Sequence, residues 1–387
     1  MEIQKDKSDL LAVVIMVKDE AISIQATLNS YFEEGIRHFF VFDTGSTDNT
    51  IALTQEFFKK NKLNGSIQQE PFIDFATSRN RALELAEHHF ATIPFLLMPD
   101  AEWFLHGGKH LLDFCEKEEL NQTTQYLVCM KLNRIEFYTA RLFRSASKVR
   151  FKGVVHEAPD ATPIQVKAPA TAYFEIKATE QGIAKSHKRW RQDLKLLFSA
   201  HIDDPTHPRT AFYLAQTYEC LGDTENAFAM YKVREKINGW EEENYVTLFR
   251  LGRLAETKYQ DNPQLGWSIA MDYYLKAFAM RPHRIEPLIK IADHYWPDNV
   301  QTCYLFARHA YTIPFPKNDL LFVEKEMYDY SRYEIISRCA WYVGEYALGE
   351  QATLMALNAR PNTAHLLKNL TLYQQKNAVK TIEQTTL

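Results

Sequence analysis

Cysteine is sparse in this chain. The five that occur, at 115, 129, 220, 303 and 339, are an odd number, widely scattered and never spaced as CxxC. That pattern argues against a disulfide framework and a cysteine zinc site, and it fits a reduced, cytoplasmic setting. Long apolar runs are missing too. The longest, Leu10 to Val17, falls far short of the roughly 20 residues that span a bilayer, so no transmembrane segment is expected. The opening "MEIQKDKSDL" lacks the charged-then-apolar order of a signal peptide. An excess of one charge is also absent: the net charge is −4, and with no general basic field a nucleic-acid partner is not expected. What remains is ordinary for a globular protein, 46% hydrophobic and 24% charged, and its 387 residues suffice for two cores.

Two halves differ in period. Residues 11–175 alternate short apolar runs with helical patterns. "LAVVIMV" (11–17), "HFFVFD" (38–43), a weaker "SIQQE" and "IPFLLM" (93–98) read as strands. "AISIQATLNSYFEEG", "STDNTIALTQEFFKK" and "TSRNRALELAEHHF" read as helices between them. Such alternation predicts a parallel sheet covered on both faces, with any site just beyond the strand C-termini. Beyond residue 125, "TQYLVCMKL", "FYTARLFRS" and "VRFKGVVHE" are expected as antiparallel additions to that sheet.

From about residue 185 the period is helical throughout. "AFYLAQTYECLGDTENAFAMY" carries Ala211, Leu214, Ala215, Tyr218, Gly222, Ala227 and Tyr231 at tetratricopeptide offsets, and three further copies follow. The equivalent small residues are Ala215, Gly252, Ala292 and Ala340. Their spacings of 37, 40 and 48 (252−215, 292−252, 340−292) imply insertions in the loops. Tyr213, Tyr218, Trp240 and Trp267 are expected in the repeat core rather than on a ligand.

Chemistry concentrates in the first half. Asp43 and Asp100 are each the first polar residue after an apolar strand. In "FLLMPDAEWFLHGG" (95–108), Asp100 and Glu102 can both face one ion from an extended turn, although Pro, Asp and Gly also make ordinary turns. Arg79 and Asn80 open a helix, where charge and free N–H groups favour an anion; a solvated charged face is the plainer alternative and suits Arg81. Ser46, Thr47 and Asp48 read as helix-capping residues. In "RFKGVVHEAP" (150–159), His156 and Glu157 would point to opposite faces of an extended strand, so that one of them faces a site; a surface loop is the alternative.

The order "VVIMVKDEAISIQATLNS", "FVFDTGSTDNT", "DFATSRNRAL", "FLLMPDAEW" resembles the family 2 nucleotide-sugar-dependent glycosyltransferases over about residues 10–160. The helical half, with "RTAFYLAQTY" and "RPHRIEPL", is similar to that of a subset of them. The resemblance implies a GT-A fold, Rossmann-like with a mostly parallel sheet, over residues 1–180, and an all-α tetratricopeptide-like domain over 186–375. It implies inverting transfer from a UDP-sugar to a hydroxyl or other nucleophile on a glycan, lipid or protein, with Mn²⁺ or Mg²⁺. It places Val17, Glu20, Asp43, Asp74, Arg79 and Asp100 at the nucleotide, with Asp43 accepting from uracil. It places Asp100 and Glu102 at the metal, and Glu157, with His156 beside it and Asp160 next in line, as the base.

Two departures from the family pattern stand out. Asp-Ala-Glu replaces Asp-x-Asp, and Lys177, Ala178 and Thr179 stand where many relatives offer a histidine. The repeat half is expected to hold the acceptor, a protein partner or a second copy of the chain. A non-catalytic nucleotide-sugar-binding module on a repeat scaffold is the alternative. Nucleotidyl transfer on a similar sheet lacks its glycine-rich phosphate loop, since "VKDEA" follows the first strand.

Overall fold

The computed structural model describes residues 6–132, 135–159, 166–176 and 180–385. The chain divides into two compact units, Met1–Pro205 and Thr206–Leu387. Among the described residues no helix is long and apolar enough to cross a membrane.

The first unit opens with β1 (Leu11–Val17), α1 (Ile24–Glu33), β2 (His38–Asp43), α2 (Thr50–Asn61), β3 (Asn64–Gln69), α3 (Phe75–His89) and β4 (Phe95–Leu97). It continues with β5 (Trp103–His106), α4 (Gly108–Glu118), β6 (Gln125–Leu132) and β7 (Ile135–Arg144). Two short strands, β8 (Phe151–Lys152) and β9 (Ala158–Pro159), precede β10 (Tyr173–Ile176) and the long α5 (Glu180–Asp203). Eight strands form one sheet in the order β3-β2-β1-β4-β7-β6-β10-β5.

The apolar runs of β1 and β2 are continuous because both faces of the sheet are covered. Val13, Ile15, Phe39 and Val41 pack on one side with Ile24, Leu28 and Tyr31 of α1. Ala12, Val14, Phe40 and Phe42 pack on the other with Ala82, Leu83 and Ala86 of α3. This period of two is what a strand requires.

The sheet is mixed. β1–β2, β1–β4, β2–β3 and β6–β10 run parallel; β4–β7, β6–β7 and β5–β10 run antiparallel. The parallel pairs at β1–β4 and the antiparallel β6 and β7 follow the sequence pattern. Two expectations fail. "VRFKGVVHE" does not join the main sheet: only Phe151 and Lys152 pair, with β9, in a separate ribbon. Left-handed Gly153 (φ 104°) and His156 (φ 51°) turn the chain away. The stretch after Asp100 is more than a turn, because Trp103–His106 is a strand paired with β10. Gly107 then ends it at φ 73°, where a β-carbon would lie 2.0 Å from the Thr171 carbonyl oxygen.

The second unit holds α6 (Pro208–Cys220), α7 (Thr224–Glu235), α8 (Glu241–Lys258), α9 (Pro263–Met280), α10 (Glu286–Tyr295) and α11 (Val300–Thr312). After the π-turn Met327–Ser331 come α12 (Arg332–Cys339), α13 (Tyr346–Ala359) and α14 (Ala364–Thr385). Each helix packs chiefly on its neighbours in sequence, the arrangement of a stacked helical-hairpin array. Ala215, Ala227, Ala270, Ala292, Ala307, Ala340 and Ala352 are fully buried at the crossings. One device recurs at the second helix of three hairpins: Asp223, Asn262 and Asn299 accept from the backbone N–H of Asn226, Leu265 and Thr302. The widest repeat spacing has a cause in the segment 313–331, a coil and the π-turn inserted before α12. Tyr213 is buried as expected, whereas Trp240 is exposed.

Candidate functional site

The loops after β1 and β2 are tied to each other. Val17 accepts from the Thr44 N–H at 2.9 Å, and the Glu20 N–H donates to Thr50 Oγ1 at 2.7 Å. Asp19 accepts from the Thr47 N–H at 2.7 Å and gives its own N–H to Ser46 Oγ at 2.8 Å. Asp48 accepts from the backbone N–H groups of Ala21 and Thr50.

Asp43 ends β2 and is fully buried. Its Oδ1 accepts from the N–H groups of Gly45 (2.9 Å) and Ser46 (2.8 Å) and from Gln69 Nε2 (2.9 Å). Its Oδ2 is buried without a hydrogen bond. Beside it lies a concavity of about 560 Å³ lined by Lys18, Thr44, Gly45, Gln69, Glu70, Pro71 and Phe72, within the size range of small-molecule sites. Gln69, at the end of a strand with little apolar signal, was not foreseen and joins Asp43 to this wall.

Asp74 caps α3: its carboxylate accepts from the Thr77 N–H (2.7 Å) and Thr77 Oγ1 (2.8 Å). Arg81 pairs with Glu70 and Glu84 on the exposed face. Asn80 clamps β8, accepting from the Phe151 N–H at 2.7 Å and donating to its carbonyl at 2.9 Å. Arg79, one turn inside the helix, is buried between two acids; its Nη2 donates to Asp100 and its Nε to Glu157. The structure thus gathers three of the foreseen residues into one ion triad.

A fourth member, Arg141 of β7, went unforeseen. Its Nη1 lies 3.8 Å from Glu157, and its guanidinium sits 5.0 Å from the Trp103 ring and 5.5 Å from the Phe151 ring. Its signal in the sequence was a lone charge next to the apolar Leu142 and Phe143, at the buried end of β7. Burial lowers the Arg141 pKa, and the like charge of Arg79 adds to this. Burial works against the Asp100 carboxylate, yet Arg79 and Arg141 hold it below the usual range.

His156 and Glu157 part company. They lie in a turn rather than an extended strand: the Glu157 side chain is 6% exposed within the triad, while His156 is exposed. Glu102 sits in the turn between β4 and β5, partly exposed. Among the described residues no group of three or more His, Cys, Asp or Glu could hold a metal ion. Asp160, Lys177, Ala178 and Thr179 lie outside the described residues.

Asp193 of α5 also feels this cluster. It is 4% exposed with an unpartnered Oδ1. Burial lifts its pKa to about 6; the Glu157 charge pushes the same way and Arg189 opposes. An acid one turn before the buried Leu197 is its trace in the sequence. A carboxyl raised above its unfolded value of about 3.9 favours folding least when ionised. The cost is absent below pH 4 and grows as pH rises through 6. Asp193→Asn is therefore expected to raise stability by about 1–3 kcal/mol at pH 8 and by almost nothing at pH 4. Urea unfolding at the two pH values checks this; a gain independent of pH contradicts it.

No family model and no curated protein matches the chain. Loose similarities to known structures occur. S. aureus TarS 1–349 in complex with UDP is 14% identical, covering 76% of this chain and 89% of that one, at a TM-score of 0.35. The C-terminal part of a TPR repeat-containing protein from Cytophaga hutchinsonii is 14% identical, covering 52% and 72%, at 0.37. MamA is 14% identical, covering 52% and 99%, at 0.33. Overlap this loose transfers no chemistry.

Proposed function

We propose that the first unit is a glycosyltransferase that takes a UDP-sugar as donor and transfers the sugar with inversion. One observation carries this reading: Asp43 ends one strand of the parallel part of the sheet and Asp100 follows another, Arg79 on the first turns of α3 bonds to Asp100, and a pocket of ligand size opens beside Asp43. Asp43 supplies a spare carboxylate oxygen for the N3–H of uracil once its loop opens. Arg79 sits where the donor's diphosphate would lie.

In the transfer, Glu157 takes the acceptor's proton. The acceptor oxygen then bonds to the anomeric carbon, and the bond from that carbon to the diphosphate oxygen breaks, its electron pair leaving with UDP. The Arg79 charge stabilises that leaving group. His156, one residue away, flanks the same turn. Val17, Glu20 and Asp74 serve the nucleotide side by shaping its loops, through the bonds to Thr44, Thr50 and Thr77.

Asp100 and Glu102 are the residues that would hold Mn²⁺ or Mg²⁺. Their hard oxygens fit an ion bound by one or two carboxylates plus phosphate and water, although one Asp100 oxygen is engaged by Arg79. A bound cation would add positive charge at the leaving diphosphate. The helical array would hold the acceptor, a protein partner or a second copy.

A second reading, a nucleotide-sugar-binding module without turnover, is favoured by the burial of Asp43 and the tie between Glu157 and Arg79. Donor hydrolysis separates the two: release of sugar from a UDP-sugar supports the enzyme, and UDP binding without release supports the module. Asp43→Ala is expected to weaken UDP binding by about 1–3 kcal/mol. Unchanged affinity in the folded variant, read by calorimetry, removes Asp43 from the site.

A further inference from the structure

Three guanidinium nitrogens in the triad region are buried without a hydrogen-bond acceptor: Arg79 Nη1 and Arg141 Nε and Nη1. Folded proteins leave few buried donors unmet, and donors on charged groups are the costliest to strand. Here they occur together on two like-charged neighbours. Glu157 does not resolve this, because 3.8 Å from Arg141 Nη1 is too long for a hydrogen bond. Asp100 and the other edge of Arg79 are already engaged with each other.

The surrounding side chains keep Arg141 in place. Trp103 and Phe151 flank its guanidinium at 5.0 and 5.5 Å, and Phe151 is itself clamped by Asn80. A planar guanidinium held against rings keeps its N–H edge free for an incoming oxyanion. Two such edges, one on α3 and one on β7, suit a ligand with two neighbouring phosphoryl groups better than a single carboxylate.

We propose that Arg141 joins Arg79 in a buried seat for a diphosphate, and that this seat binds the anion without a divalent cation. The inference rests on the reading of this site as the donor pocket. It adds a second cationic arm that the motif-based reading lacked, on the opposite side of the sheet order from β2. The charge a metal would bring is then a supplement to binding, not its condition.

The test is calorimetric titration of the full chain with pyrophosphate, UDP and uridine, in chelator and with Mn²⁺. Pyrophosphate and UDP are expected to bind in chelator. Arg141→Gln should weaken both by about tenfold to a hundredfold and leave uridine affinity unchanged. Should that variant fail to fold, Arg141→Lys keeps the charge but loses the fork, and a several-fold loss is expected in the same titration. Binding of pyrophosphate and UDP only with Mn²⁺, or affinities indifferent to both variants, overturns the seat while leaving the UDP-sugar reading intact. The converse is distinct: Arg141-dependent pyrophosphate binding with UDP no tighter than pyrophosphate supports the seat and removes the uridine-specific reading.

Discussion

Arg79→Met is expected to destabilise the first unit by about 3–5 kcal/mol at neutral pH, the usual cost of removing one partner from a buried ion pair. The variant leaves Asp100 and Glu157 without the cation that bonds to both, and Arg141, 3.8 Å from Glu157, replaces neither bond. The pH dependence has a definite sign. Asp100 is held below its ordinary pKa in the folded protein, so its pairing favours folding at neutral pH. That contribution is lost as pH falls through the folded value. The gap between Arg79→Met and the parent should accordingly narrow in acid. Urea midpoints at pH 7 and at about pH 2.5, below the ordinary carboxylate range, measure it, and Arg79→Lys should recover part of the loss by restoring the charge. A loss below about 1 kcal/mol, the scale of surface pairs, would show that the triad is not a buried unit.

The second large effect lies in the helical unit. Glu286 opens α10 at 0% exposure beside Arg284 at 1%. Its carboxylate accepts from Arg284 Nε (3.0 and 3.1 Å) and Nη2 (2.7 Å), from the hydroxyls of Tyr245 (3.2 Å) and Tyr328 (3.0 Å), and from the Glu324 N–H (3.2 Å). Asp319 holds the far side of Arg284 at 3.1 Å. Glu286→Ala removes the acceptor of Arg284 Nε and of two tyrosine hydroxyls at once. A loss of about 3–5 kcal/mol is expected, read as an earlier loss of helical circular dichroism in guanidinium. Glu286→Gln, which keeps the acceptor oxygen, should lose less. Equal losses for the two would mean that the charge of the side chain decides and that its volume and remaining acceptor oxygen contribute nothing.

These two clusters mark what a sequence shows and what it hides. β1 and β2 were legible because both their faces are buried, which writes an unbroken apolar run. Asp43 and Asp100 were legible as the first polar residues after such runs. The helical array was legible in its small residues, since a crossing that admits only alanine or glycine repeats with the fold. Ion pairs have no period. Arg79 meets Asp100 across 21 positions and Glu157 across 78, and nothing near Arg79 records either partner. "RPHRIEPL" carries three basic residues and one acid within eight positions, yet Arg284 and Glu286 are among the most deeply buried side chains. β5 was hidden for a related reason. Four residues following Pro, Asp and Ala look like a turn until a partner strand is known, and that strand is β10.

That pairing sets an order for the chain as it leaves the ribosome. β5 ends at His106, and β10 begins at Tyr173, 67 residues later (173−106). At translation speeds of about 5–20 residues per second, β5 stays unpaired for about 3–13 s, and the outer edge of β6, which ends at Leu132, for about 2–8 s. Trp103 and Leu105 line the first of these edges, and a bare edge strand is a ready template for a second nascent chain. A polypeptide halted after β6 is complete and before β10 begins, between residues 133 and 172, would keep both edges open for its lifetime. The last strand to be made is thus the one that closes the sheet.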